Sequence, residues 1–182
     1  MAGARLVALF LTVTSALAAQ PCCEWAERIE REVREAAYPE LASADIVIRP
    51  FLSPVDYFHA GFDAARFVTG RKMRYVIRAN PLLVSRRAPE DGLRAIVAHE
   101  LAHVAYYNNG PRVRLFGMLR MLSPRWRSGF ERSTDREAIR RGFGPGLKLY
   151  REWLYRNVPA DKLPEKMRDY LSPGEIDALM HP

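Results

Sequence analysis

Residues 89–108 leave this chain few choices. Pro89, Glu90 and Asp91 open the segment, where proline fits a first helical turn and acids favour its positive end. Leu93, Ile96, Val97, Leu101 and Val104 recur at helical spacing, and Asn108-Asn109-Gly110-Pro111 stops the pattern. A long helix is predicted here, and the rest of the fold must pack around it. Within it, residues 99–103 read His-Glu-Leu-Ala-His. Two histidines four apart lie one above the other on a helix, with Cβ atoms about 5–6 Å apart. Both imidazoles can therefore reach one ion at about 2.0–2.1 Å, the bond length zinc prefers. Glu100, rotated about a quarter turn from His99, can reach a water on that ion without being a ligand. The apolar stripe through Leu93, Val97, Leu101 and Val104 leaves the pair off the fully buried face, looking into a cleft. The alternative is a helix with two structural histidines.

A catalytic zinc needs a third protein ligand and an open fourth position. The chain has four histidines; the others are His59 and His181, the latter next to the last residue. The position six residues after His103, where one class of zinc peptidase places a third histidine, is Asn109. No cysteine lies nearby, so a carboxylate is favoured. Phe130-Glu131-Arg132-Ser133-Thr134-Asp135 supplies two acids four apart, on one face of a predicted helix. One can bind the metal while the other holds a ligand histidine through its free ring nitrogen. The competing reading pairs both acids with Arg132, Arg136 and Arg140.

His99-Glu100-x-x-His103 followed by Glu131-x-x-x-Asp135 resembles the gluzincin, thermolysin-like metallopeptidases. The resemblance covers roughly residues 89–141. It implies zinc on His99, His103 and Glu131, Glu100 as general base, and Asp135 supporting a ligand histidine, His99. The chain also looks like small bacterial exported proteins with this zincin core. It is much shorter than thermolysin-like enzymes and has no room for their second domain. The His or Tyr those enzymes aim at the oxyanion has no clear match; Tyr106, Tyr107, His59 and the arginines after Pro124 are candidates.

The first twenty residues set the expected location. Arg5 is followed by an apolar run from Leu6 to Ala19 that ends in small residues, the pattern of a secretory signal peptide. The run is short for a membrane span, which needs about 20 apolar residues. Residues 1–19 are thus expected to be cleaved, leaving one zincin-like domain over 20–182, periplasmic or secreted. At 182 residues and 48% hydrophobic, such a chain can build a core without disulfides. Its two cysteines, Cys22 and Cys23, are adjacent and poorly placed to bridge each other. The net charge of +7 is concentrated: nine arginines and three acids lie between Pro111 and Arg141. Such a face can make weak contact with anionic membrane or envelope surfaces, or it is simply a solvated surface. Export argues against nucleic acid as the main partner.

Elsewhere, helices are expected at about 22–38, 113–122, 129–141 and 145–157, with Pro124 closing the third-last of these patterns. Ser172-Pro173-Gly174-Glu175 has the form of a capping box and announces a short final helix. Ile46–Ile48 and Met73–Ile77 read as strands, with an irregular stretch between them that contains Gly61 and Gly70. The order predicts an α+β fold, mainly helical, with a small two- or three-stranded sheet.

The leading functional expectation is zinc-dependent hydrolysis of an amide bond in extended or unfolded polypeptide. The substrate would lie along a sheet edge, for which Met73–Ile77 is the nominated strand. A second reading is a zinc-stabilised, non-catalytic binding or chaperone-like envelope protein. That requires a closed site with a fourth ligand, Asp135 or His59. A third is an amidase sharing the same metal chemistry.

Overall fold

The protein is described by a computed structural model over residues 23–110 and 123–181. The expected signal segment 1–19, Cys22 and the expected helix 113–122 lie outside the described residues. No helix among the described residues is long and apolar enough to cross a membrane.

The chain begins with α1 (Glu24–Ala37), whose buried Ala26, Ile29 and Val33 follow helical spacing. A 3-10 turn (Pro39–Leu41) leads into β1 (Asp45–Pro50). Then come β2 (Phe58–Phe62), α2 (Ala64–Val68), β3 (Arg74–Ala79) and α3 (Leu82–Ser85). The long α4 (Glu90–Asn108) carries the His-Glu-Leu-Ala-His segment. After it follow α5 (Pro124–Ala138), α6 (Gly144–Asn157), α7 (Leu163–Asp169) and α8 (Pro173–Met180). The architecture is α+β, with helices dominating a three-stranded mixed sheet.

The sheet order is β1-β3-β2, with β1 parallel and β2 antiparallel to β3. This corrects the expectation for 73–77. That strand is central, paired on both sides, so its main-chain groups have no capacity for a substrate. The edge beside α4 is β2, which falls in the stretch read as irregular. Phe-His-Ala-Gly-Phe is short and contains a glycine, a combination that sequence patterns read as a break. α2 lies in the same stretch and is held by Asp63, whose side chain accepts a bond from Arg66 N–H.

α4 is the hub. It packs most extensively on α6, and also on α1, α5 and β2. The helix is therefore buried nearly all round, His99, Glu100 and His103 included, rather than along the single stripe expected. At the α4–α6 crossing, a Cβ on Gly146 would lie 2.3 Å from the Asp91 carbonyl oxygen, so only glycine allows the two backbones to approach this closely. α5 begins five residues earlier than the expected start at Gly129. Pro124 opens it rather than closing the preceding segment, because proline has no N–H to lose in a first turn. Gly142, at φ 93°, breaks the path between α5 and α6. The capping box at Ser172 and Glu175 is formed.

Candidate metal centre

α4 and α5 meet where their polar faces coincide. From α4, one helical turn apart, come His99 and His103; from α5 come Glu131 and, one turn on, Asp135. His103 Nε2 lies 3.1 Å from His99 Nε2. Glu131 Oε2 lies 3.1 Å from His99 Nε2 and 3.3 Å from His103 Nε2. These three side chains form a group able to hold a metal ion. Bonds of about 2.0–2.1 Å in a tetrahedron place ligand atoms about 3.3–3.4 Å apart, close to the observed spacing.

The tautomer of His99 sharpens the point. Its Nδ1–H donates to Asp135 Oδ1 at 2.8 Å, which leaves Nε2 with a lone pair aimed at His103 and Glu131. A carboxylate and imidazole nitrogens converging in this way repel unless a proton or cation sits among them. Without metal, a proton serves. Burial disfavours a charged His99 ring, but hydrogen bonds to Asp135 and Glu131 outweigh it and hold its pKa up to about 10. Burial likewise opposes ionisation of Glu131, yet His103 and His99 hold its carboxyl well below the usual range. A divalent ion binding here replaces that proton.

Asp135 is fully buried and stays ionised: burial opposes this, and Arg151 and His99 outweigh it. Besides His99, it accepts from Arg151 Nη2 at 3.0 and 3.2 Å and from Leu171 N–H at 2.8 Å. Four bonds use up a carboxylate's acceptor sites. Glu131 and Asp135 thus face the histidines and not Arg132, Arg136 or Arg140. Arg132 instead pairs with Glu175, and Arg140 and Arg141 pair with Glu137. His103 is held differently. Its Nδ1 is buried with no hydrogen-bond partner, and its ring is packed by Phe130 at 5.0 Å and stacked by Tyr107 at 6.4 Å.

Glu100 Oε2 is also buried, without a hydrogen-bond partner among the described residues. Its side chain lines a small cavity with His103, Glu131, Tyr107, Tyr170 and β2 residues Phe58, His59 and Ala60. A larger cleft continues from Glu131 and Tyr170 between β2 and the α5–α7 pair. Of the expected oxyanion candidates, Tyr107 and His59 reach the cavity and Arg127 the cleft. Tyr106 lines a separate pocket between α4 and α5.

Two residues of this site went unread in the sequence. Arg151 has only 1% of its surface exposed, and its guanidinium lies 4.5 Å from the Tyr170 ring. Its signal was its place in the α6 stripe of Leu147, Tyr150 and Leu154, where an arginine on an apolar face demands a buried acid. Tyr170 had no signal. It is brought in by its neighbours: Leu171 N–H on Asp135, and Arg132 donating to the Tyr170 carbonyl at 2.9 Å. Burial, then the nearby Glu131 charge, pushes the Tyr170 phenol well above its ordinary pKa, so it remains a donor. No protein-family model, curated protein or solved structure matches this chain.

Proposed function

We propose that the protein is a zinc-dependent metallohydrolase, a gluzincin-like peptidase that cleaves amide bonds in extended polypeptide outside the cytoplasm. The observation that carries this reading is Glu100: a buried carboxylate oxygen with no partner, in the cavity it shares with two of the three candidate ligands. A buried acid left unpaired is costly, which argues for a task that needs it.

The same geometry favours this over a closed structural site. Among the described residues, the group able to hold an ion has three members, not four. Asp135 has no acceptor site left for a metal, and His59 is exposed on the sheet, outside that group. Three ligands with an open position are the catalytic pattern.

Bound there, zinc would polarise a carbonyl and acidify water. The chain's own residues do the rest. Asp135 fixes His99 in the ligating tautomer. Glu100 accepts the water proton and returns it to the leaving amine. Tyr170, kept protonated, donates a hydrogen bond where negative charge develops on the carbonyl oxygen.

The substrate strand is assigned to β2 in place of β3. Asn80 N–H donates to Tyr57 O, and Asp63 N–H to Arg74 O. Residues 57, 59, 61 and 63 therefore bond to β3, and alternation turns the main-chain groups of Phe58, Ala60 and Phe62 to the other edge, which no strand among the described residues pairs. An extended chain can pair there, above the metal helix.

The test is Glu100→Gln. It should retain about one zinc per chain while cleavage of an unfolded protein substrate falls by about 10²–10⁴-fold. Undiminished cleavage would sink the mechanism. Glu131→Ala, by contrast, should lose the metal.

A further inference from the structure

The outer face of the sheet is charged unevenly. At one end Asp45 accepts from both Arg66 and Arg74, each at 3.0 Å. At the other end Arg49 and Arg78 stand directly opposite each other across β1 and β3, and His59 stands opposite Arg78 on β2. Neither Arg49 nor Arg78 has a hydrogen-bond or ion-pair partner among the described residues. Like charges directly opposite one another destabilise a sheet, and no acid among the described residues pairs with either.

Arg78 also belongs to the cleft that opens from Glu131. The other charges of that cleft are matched. Lys166 meets Asp56 at 2.7 Å, and Arg127 meets Glu165 and Asp169, each at 2.9 Å. Glu131 faces the histidines. Among the described residues, Arg78 is the cleft cation left over. Its guanidinium leans toward the edge strand: Nη1 lies 3.7 Å, and His59 Nε2 3.8 Å, from where a Cβ on Gly61 would be. Both groups therefore lie over β2 beside Gly61. A strand paired to the free edge of β2 would place alternate side chains on this same face.

We propose that Arg78, with His59 beside it and Arg49 behind it, recognises a carboxylate of the polypeptide substrate, so that the cleft selects acidic peptides. This rests on the peptidase reading and adds a substrate class to it. The carboxylate can come from an Asp or Glu side chain or from a free C-terminus, and the experiment separates them.

The probes are four pools of fluorescein-labelled ten-residue peptides. Each carries Glu or the isosteric Gln at one randomised position, and each C-terminus is free or amidated. Their binding to zinc-loaded Glu100→Gln protein is followed by fluorescence anisotropy, which needs no turnover. Carboxylate-bearing pools should bind at least about tenfold tighter than the amidated Gln pool, and Arg78→Gln should abolish that preference. Arg78 is exposed and faces the like charge of Arg49, so this variant should melt no lower than the parent. Preference that survives amidation assigns the side chain; preference that follows the free terminus assigns the α-carboxylate. Equal binding of all pools, no binding of any, or a preference retained by Arg78→Gln overturns the proposal. Carboxylate preference without cleavage of the same peptides by the wild type would instead overturn the peptidase reading and leave the recognition surface standing.

Discussion

Asp135 has one carboxylate and three tasks: it orients His99, neutralises Arg151 and anchors the chain at Leu171. Removing one partner of a buried pair leaves an uncompensated charge, which costs about 3–5 kcal/mol. Arg151→Met should therefore destabilise the protein by about that amount in urea unfolding. It should also weaken metal binding by about 10–100-fold, since the support of a ligand histidine is disturbed. Stability within about 1 kcal/mol of the parent would show that the pair is not a stabilising element. Tyr170→Phe makes a cleaner cut. It removes one hydroxyl, and should keep the metal while lowering kcat by about 10²–10³-fold, the usual effect of losing one oxyanion donor. Unchanged kcat would remove Tyr170 from the chemistry. At this scale the sequence exposed the residues that come in motifs. His99, Glu100 and His103 are marked by helical spacing, and Glu131 and Asp135 by the same spacing on a second helix. Arg151 and Tyr170 act on them from other elements, and no local periodicity records a contact made only by tertiary packing.

Helix crossings decide whether those residues meet. Gly146→Ala forces a Cβ against the backbone of Asp91 and should cost about 1–3 kcal/mol or more, because neither helix can shift without disturbing α4. Gly129→Ala is its counterpart. Gly129 is exposed within α5 and an added Cβ meets nothing within 4 Å, so the change should stabilise by about 0.5–1 kcal/mol. Urea midpoints of the two variants should move in opposite directions. The cap of α8 adds a pH dependence. Arg132 first, and then hydrogen bonds from Ser172, hold the Glu175 carboxyl at about 2, against an ordinary value of 4.5. A folded pKa below the unfolded one stabilises above the unfolded value and ceases to do so as pH falls. The stability gap between parent and Glu175→Gln should thus be full above pH 4.5 and close as pH falls toward 2. The group is mostly exposed, so the gap will be small. A gap that is flat between pH 6 and 3 would contradict the assignment. Elements with long patterns or a side-chain cap, such as α4 and α8, were legible in the sequence. β2 was not, because a five-residue strand with a glycine draws its identity from pairing with β3.

On the scale of the whole molecule, the candidate metal centre joins α4 to α5 across the fold. An ion that binds only the folded state stabilises it by mass action, about 2.7 kcal/mol at a free concentration 100 times Kd. For a domain of this size that is roughly 5–10 °C in Tm. Chelation should lower Tm by that much and added zinc should restore it; a Tm indifferent to both would mean that nothing binds at the site. The α+β class could be read from the order of elements alone. The placement of β2 over α4 could not, since it depends on how the sheet is ordered. That placement carries a kinetic consequence. The edge of β2 opens into a cleft walled by α5 and α7, where, on the peptidase reading, an extended strand would bind. If the protein is the peptidase proposed above, a folded target would first have to release a segment. When opening and reclosing are fast, its rate of degradation follows the population of the open form. Each roughly 1.4 kcal/mol of local stability in the target should then slow its loss about tenfold, whatever the sequence at the cut site. The depth of one edge strand would make this protein a gauge of how often its neighbours come undone.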